Sequence, residues 1–281
     1  MTKVDLHVHS NCSDGSDKIS ELINNIKKNN IEIFALTDHD TIEGCIEMQN
    51  LVPKNIKFIK GVELTCQADY IKCHILGFGC DITNKKLLDL IEKGKKLRHI
   101  KMETRVEYLK NKWNIELTEE EYAWLCSRKS VVKTHFANIL VKRGLAEDNV
   151  SAMKKYLDDC KTPNTRFDIK EAIEALVDAG AIPVWAHPLG GEGEEHFSEE
   201  EILPRLELMK SFGIKGLECY YSRYNKEEIN LLKRLAKENN LLISGGSDYH
   251  GKNKKNINLA KLNIDNEYVD SKELTVLNFL I

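Results

Sequence analysis

Two histidines close the first apolar run of the chain, Val4-Asp5-Leu6-His7-Val8-His9. Spaced i, i+2 on a strand, both imidazoles project to one side. Further along stand Asp14, Asp38-His39, Glu63, His74, His187, Asp248 and His250, most of them just after a β-like apolar run. Imidazole and carboxylate oxygen suit Zn, Mn or Fe, and the absence of thiolates argues against a structural zinc site. One open metal site uses three or four protein ligands. Nine candidates, with Asp38 as a tenth, therefore point to two or three divalent ions, with a carboxylate such as Glu63 bridging. Ions ~3.5–4 Å apart clamp attacking and leaving oxygens and bring the pKa of a bound water towards ~7. Phosphoester hydrolysis fits this best, because charge on the equatorial oxygens must be neutralised.

Single features have ordinary readings. An HxH pair arises by chance, Asp38 is also a turn residue before a capping Thr41, and Asp248 after Gly245-Gly246 is also an Asx turn. Their joint placement at strand ends carries the argument. His99 and His196 lack that placement and read as surface residues.

The elements that must position these groups alternate. Val4–Leu6, Ile31–Leu36, Phe58–Leu64 and Tyr70–Phe78 read as strands, the last two as a hairpin. Ser20–Lys28 and Thr41–Leu51 read as helices. From Thr83 to Asn164 no strand is legible; the apolar residues fall at helical spacing, Thr118-Glu119-Glu120-Glu121 is a capping box, and Val131–Arg143 is a helix ending at Gly144. Alternation then resumes with a helix capped by Asp168, strands at Ile182–Ala186, Gly216–Tyr221 and Leu241–Ser244, and helices starting at Ser198–Glu201 and Asn225–Glu228. Strand–helix repeats with short loops imply a parallel sheet, closed or nearly so, with active groups at its C-terminal face. The Lys252–Lys255 stretch reads as a solvated loop.

At 281 residues the chain suits one α/β barrel, with or without an insertion. A net charge of −3 gives no overall field favouring nucleic acid. The opening MTKVDLHVHS predicts no signal peptide, and no run reaches the ~18 apolar residues of a membrane span. Eight cysteines without a CxxC pair predict reduced thiols and a cytoplasmic protein. Nothing implies an obligate protein partner.

As a set these residues resemble the PHP (polymerase and histidinol phosphatase) family. The matches are His7-Val8-His9, Ser13-Asp14-Gly15, Thr37-Asp38-His39-Asp40-Thr41, Gly61-Val62-Glu63-Leu64, His74-Ile75-Leu76-Gly77, Ala186-His187-Pro188 and Gly245-Gly246-Ser247-Asp248-Tyr249-His250-Gly251. The resemblance implies a distorted TIM-like (β/α)7 barrel, residues 1–80 and 167–281, carrying the metal site, with residues 81–166 an inserted helical subdomain over the active-site entrance. That insertion is similar to the TrpH/YciV-like branch, whose activities include nucleoside 3′,5′-bisphosphate phosphatase and 5′-to-3′ exoribonuclease. It further implies three metals: one on His7, His9, Glu63 and Asp248; a second sharing Glu63 with His74 and His187; a third on Asp14, His39 and His250. Asp38 then becomes a carboxylate that orients a ligand. Where the branch usually has Arg-Pro-His, this chain has Lys133-Thr134-His135, and Cys12 stands where Ser, Thr or Ala is commoner.

The expected enzyme is a metal-dependent phosphoesterase using a metal-bound hydroxide, with Mn, Fe or Zn as cofactor. Its substrate would be a small phosphorylated nucleotide, or short RNA or DNA ends. Asp38 and His135 are carried as catalytic candidates, and Lys133, His135, Arg166 and Arg223 as phosphate contacts. Tyr220, Tyr221 and Tyr224 are either base-stacking or packing residues. Alternatives are a histidinol-phosphatase-like phosphomonoesterase, an amidohydrolase, which lacks here its usual bridging lysine, and a binding module without turnover.

Overall fold

Hydrophobic period decides the order of elements, two along the strands and 3.6 along the helices. The computed structural model describes residues 2–128, 130–191 and 195–281. Strand β1 (Val4–Val8) is buried along its whole length, followed by α1 (Ile19–Lys28), β2 (Ile33–Leu36) and α2 (Glu43–Met48). Helix α1 buries Ile19, Leu22, Ile23 and Ile26, the i, i+3, i+4, i+7 stripe of an amphipathic helix. The hairpin β3 (Lys57–Ala68) and β4 (Ile71–Phe78) is longer than its apolar runs suggest and antiparallel, with Glu63 opposite Leu76. After the helical segment come β5 (Phe167–Asp168), α7 (Ile169–Asp178), β6 (Ile182–Trp185), α8 (Glu199–Phe212), β7 (Gly216–Tyr221), α9 (Lys226–Glu238) and β8 (Leu242–Gly246).

The strand order is β1-β2-β3-β4-β6-β7-β8, with β5 pairing β3. All pairings are parallel except those of β4, which runs antiparallel to both β3 and β6. The otherwise parallel sheet thus carries one reversed strand, supplied by the expected hairpin. A hairpin of two residues' turn cannot make a right-handed crossover, so β4 must reverse. The sheet closes between β1 and β8: Val8 bridges Tyr249, the His9 N–H donates to the Tyr249 carbonyl at 2.9 Å, and the Asp248 N–H donates to the His7 carbonyl at 2.8 Å. The result is a nearly closed, TIM-like barrel.

Between β4 and β5 lie four helices: α3 (Lys85–Trp113), α4 (Glu119–Cys126), α5 (Lys133–Lys142) and α6 (Asn149–Tyr156). Thr118 and Asp168 cap α4 and α7 as their sequence motifs require. Helix α3 belongs to two cores. Its first turns, at Leu87, Leu90 and Ile91, pack with the barrel, whereas Met102 and Leu109 join Phe136, Leu140 and Tyr156 in a separate cluster. At 29 residues α3 is ~43 Å long, which lets one helix reach both. The main weld between them is the Arg98–Asp40 ion pair, whose Nε donates at 2.7 Å; both side chains are largely buried. Among the described residues no helix is long and apolar enough to cross a membrane.

Candidate metal centre

Strand ends and the turns just after them supply most of this site, while Glu63 and His74 come from the middle of β3 and β4. His7 and His9 leave β1 on the same side, wholly buried, with their Nε2 atoms 3.1 Å apart. Strand β8 passes close behind them: a Cβ on Gly246 would collide with the His7 backbone, so only glycine fits. Just beyond β6 and β8, His187 and Asp248 hold left-handed backbone, with φ of 29° and 59°. Non-glycine residues reach that region only when their surroundings over-determine it. Asp5 does part of that work, accepting from the N–H groups of His7, Ser247 and Ala260 and from the Ser247 hydroxyl.

Glu63 stands at the middle. Its Oε2 lies 3.2 Å from His7 Nε2, 3.1 Å from His9 Nε2 and 3.0 Å from His39 Nδ1. Its Oε1 lies 3.0 Å from His74 Nδ1 and 3.3 Å from His187 Nε2. Asp248 Oδ1 is 3.5 Å from His7 Nε2, 3.3 Å from His9 Nε2 and 3.4 Å from His250 Nδ1. Asp14 Oδ1 is 3.1 Å from His250 Nε2, 3.8 Å from His9 Nδ1 and 3.9 Å from His39 Nε2. All nine candidate ligands thus converge.

Among the described residues three groups bring ligand atoms within 4.8 Å of one another: His9, Asp14, His39 and His250; His7, His9 and Glu63; and His39, Glu63 and His74. The grouping differs from the three sets the resemblance implies, which share Glu63 alone. Here His9 and His39 each face Glu63 with one ring nitrogen and Asp14 with the other. Both rings lie nearer Glu63, at 3.1 and 3.0 Å, than Asp14, at 3.8 and 3.9 Å.

Does this donor set fit cations? Four buried polar atoms without a hydrogen-bond partner, Asp14 Oδ1, His39 Nδ1, Glu63 Oε2 and His250 Nε2, all face the centre. Buried polar atoms are rarely left so, and an ion is the economical partner. Burial pushes His39 and His250 down, keeping them neutral and their lone pairs free to ligate. Burial alone would raise Glu63, but the imidazoles of His39, His7 and His74 hold it well below the carboxylate range. Burial lowers His7 and His9, yet the carboxylates around them win: Glu218, Glu63 and Asp248 drive His7 well up, and Asp248 and Glu63 carry His9 to about 9. Protons are thus drawn to positions a divalent ion would neutralise. The residues present fit metal ions.

Several supporting groups escaped sequence reasoning. Glu218, fully buried in β7, sits 2.9 Å from His7 Nδ1 and accepts from the His187 N–H at 2.8 Å. A carboxylate inside the apolar run Gly216–Tyr221 was the available signal. Tyr221 Oη and Lys254 Nζ donate to Asp248 Oδ2 at 3.0 and 2.6 Å. Asp38 does not join the ligand groups. It accepts from the Ser10 N–H and from the hydroxyls of Ser10 and Ser13, and Ser13 Oγ lies 3.4 Å from His9 Nδ1. Its place is to fix the turn that carries Asp14.

The expected phosphate contacts are dispersed. His135 is buried, takes the Val132 N–H on Nδ1 at 3.1 Å, and meets the Ser13 backbone with its other edge; burial pushes it down to about 4. It is a strut from α5 to the ligand turn. Lys133 pairs with Asp158, Arg166 donates to the Cys66 carbonyl at 3.4 Å, and Arg223 lines a groove beside the centre. Tyr220, Tyr221 and Tyr224 are buried, with hydroxyls bonded to Glu273, Asp248 and Gly190, so they pack rather than stack on a base. A cationic flank emerges on α3 instead. Burial, with the charges of Arg105, Arg98 and Arg166, brings Lys101 down to about 8. The cavity at the centre has about 50 Å³, lined by His39, Glu63, His74, His187, Gly191, Asp248 and Lys254.

The family described as the PHP domain matches residues 5–175. A 5′-3′ exoribonuclease of Haemophilus influenzae is 31% identical over 254 residues, 88% of this chain and 90% of that protein. A 3′,5′-nucleoside bisphosphate phosphatase of Chromobacterium violaceum is 27% identical over 257 residues, 89% of this chain and 88% of that protein. Among solved structures, a protein of Bifidobacterium adolescentis described as a metal-dependent phosphoesterase superposes with a TM-score of 0.84 at 25% identity, covering 99% of this chain and 96% of the other.

Proposed function

The chain belongs to the PHP domain family, and from that premise we propose that it hydrolyses phosphate esters carried by nucleotides. It is a phosphoric ester hydrolase that needs divalent metal ions. Two kinds of substrate are proposed: a nucleoside 3′,5′-bisphosphate, by likeness to the phosphatase, and RNA, by likeness to the exoribonuclease, with the 5′-phosphorylated end of a short RNA or DNA as the form taken. The single observation that carries the reading is the convergence of five imidazoles on the one Glu63 carboxylate.

Two or three ions, Mn, Fe or Zn, are proposed on His7, His9, Asp14, His39, Glu63, His74, His187, Asp248 and His250. When bound they lower the pKa of water and neutralise charge on the phosphoryl oxygens. The chain's own groups do the rest. Glu218 and Asp248 fix His7 from either side, and Glu63 holds the centre together. Asp38 and His135 act as positioning residues for the Ser13–Asp14 turn. Lys254, already on Asp248, is the cation nearest the cavity and is assigned to the phosphoryl charge. Lys133, Arg166 and Arg223 are assigned to further phosphate charge.

Residues 81–166 are proposed to cover the entrance, supported by the Arg98–Asp40 pair and by the reach of His135 to Ser13. A cytoplasmic location is proposed from eight free cysteines, six of them buried. The test is direct. Mn-loaded protein is incubated with adenosine 3′,5′-bisphosphate and, separately, with a 5′-phosphorylated RNA oligomer. Phosphate and AMP released from the bisphosphate, or nucleoside monophosphates released from the oligomer, support the reading; silence on both, with metal verified as bound, contradicts it.

A further inference from the structure

The cavity at the metal centre, at about 50 Å³, is little more than the space of one water, ≈ 30 Å³. The reacting phosphoryl group belongs at this cavity, and the adjoining part of a substrate extends beyond it. Lys254 lines this cavity and also a neighbouring groove of about 350 Å³, at the small end of ligand-sized clefts, ~300–1,000 Å³.

The groove runs between α5–α6 and the turn after His250. Arg223, Lys252, Lys254 and Lys255 line it against two carboxylates, Glu147 and Asp148. Asp148 is already engaged, capping α6 through the Ser151 N–H at 2.7 Å. That cap leaves the Asp148 charge in place, and Lys254 is paired with Asp248 at 2.6 Å; the four cations still outnumber the two carboxylates, on a protein whose overall charge is −3. Asn149 Nδ2 donates to Asn138 Oδ1 at 2.8 Å, which leaves the Asn138 donor and the Asn149 acceptor for a polar ligand group.

These lysines are not on a loose loop. They leave a 3-10 turn, Gly251–Lys254, tied to the ligand turn: the Lys252 N–H donates to Ser16 Oγ at 2.8 Å, and Asn253 Nδ2 donates to the Asp14 carbonyl at 2.7 Å. Gly251 has φ of 63°, with Ser16 and Asp17 where a Cβ would stand. The groove thus keeps a fixed register to Asp14 and His250, both candidate ligands.

We propose that this groove binds the phosphodiester backbone of a single-stranded polynucleotide. The scissile phosphate enters the metal cavity while the nucleotides beyond it run along Arg223 and Lys252–Lys255. Sequence-tolerant single-strand binding combines a positively charged groove along the backbone with aromatic stacking of the bases; this lining supplies the backbone groove and, among the described residues, no aromatic. A nucleoside bisphosphate has no second residue to reach it. The inference rests on the phosphoesterase reading above.

The test is the double variant Lys252→Glu/Lys255→Glu, two exposed side chains outside the metal cavity, with an unchanged melting temperature as the folding control. The metal-loaded protein is assayed on 5′-phosphorylated ribo- and deoxyribo-octamers and on adenosine 3′,5′-bisphosphate. We expect kcat/KM on the octamer to fall about tenfold. Its log–log salt slope should become shallower by about 1.4, at ≈ 0.7 per lost single-strand contact. Bisphosphate turnover should stay within about twofold. Loss on either octamer with the bisphosphate spared supports the groove, and the octamer affected names the chain. Equal loss on all substrates, or no loss on any, overturns it. If wild-type protein releases nothing from any of them, the phosphoesterase reading fails separately. Anisotropy with 3′-fluorescein octamers then decides the groove: salt-dependent binding weakened at least about fivefold supports it, and unchanged binding overturns it.

Discussion

Glu218 Oε1 lies 2.9 Å behind His7 Nδ1, both side chains fully buried, so the Nε2 of His7 is aimed at Glu63 and Asp248. A carboxylate on the far nitrogen fixes the ring's tautomer and orientation, and losing such a partner typically costs 10–100-fold in metal affinity. Glu218→Gln should therefore weaken metal binding by about that factor, read by titration against a metal-chelating dye. Its second contact, the His187 N–H at 2.8 Å, makes Glu218→Ala worse than Glu218→Gln. Unchanged affinity in both variants would remove Glu218 from the centre.

Arg98→Ala should destabilise the fold. Asp40 would be left buried without its guanidinium, and breaking a buried pair costs about 3–5 kcal/mol. Urea unfolding checks it. In the Arg98→Ala/Asp40→Asn double variant the loss should be smaller, because no orphaned charge remains. Losses that simply add would show that the pair does not hold α3 to the barrel.

The charged residues at strand ends were legible in the sequence because their chemistry is out of place there. His7, His9, Glu63, His74, His187, Asp248 and His250 interrupt or close apolar runs, and a barrel gathers such positions at one face. Glu218 was not legible, since its partner His7 is 211 residues away and nothing local marks the contact. The same holds for Arg98 and Asp40, 58 residues apart. Strand β5, only two residues long, is too short to show a period. The reversal of β4 follows from the hairpin, but its second partner β6 does not, since helices α3 to α7 intervene. The Lys252–Lys255 lysines look solvated in sequence, and two of them are exposed; what sequence cannot convey is that the turn beneath is pinned to Ser16 and Asp14.

Acid should loosen the contact between α5 and the ligand turn. His135 is buried and held down to about 4, against 6.5 when unfolded. The unfolded chain therefore binds more protons between those values, so stability falls as pH drops from about 6.5 to about 4 and is fully present above 6.5. The linkage is on the order of 3 kcal/mol. It is read as the difference in pH-dependent stability between wild type and His135→Gln. Parallel curves for the two proteins would contradict the assignment.

Chelation should cost stability as well as activity. Asp14 Oδ1, His39 Nδ1, Glu63 Oε2 and His250 Nε2 have no protein hydrogen-bond partner. Ions held at about 100 times their Kd contribute about 2.7 kcal/mol. Stripping with EDTA should then lower Tm by roughly 5–10 °C, reversed by Mn or Zn. A Tm indifferent to chelator and to added metal would argue against the centre.

Metal content and turnover of Glu63→Ala, measured side by side with wild type, test the central claim most directly. Five imidazoles meet on that carboxylate, so its removal should drop bound metal by at least one ion per chain by mass spectrometry. Phosphate release from adenosine 3′,5′-bisphosphate and nucleotide release from the RNA oligomer should both fall to background. A Glu63→Ala protein that keeps its full metal complement and near wild-type turnover would contradict the account.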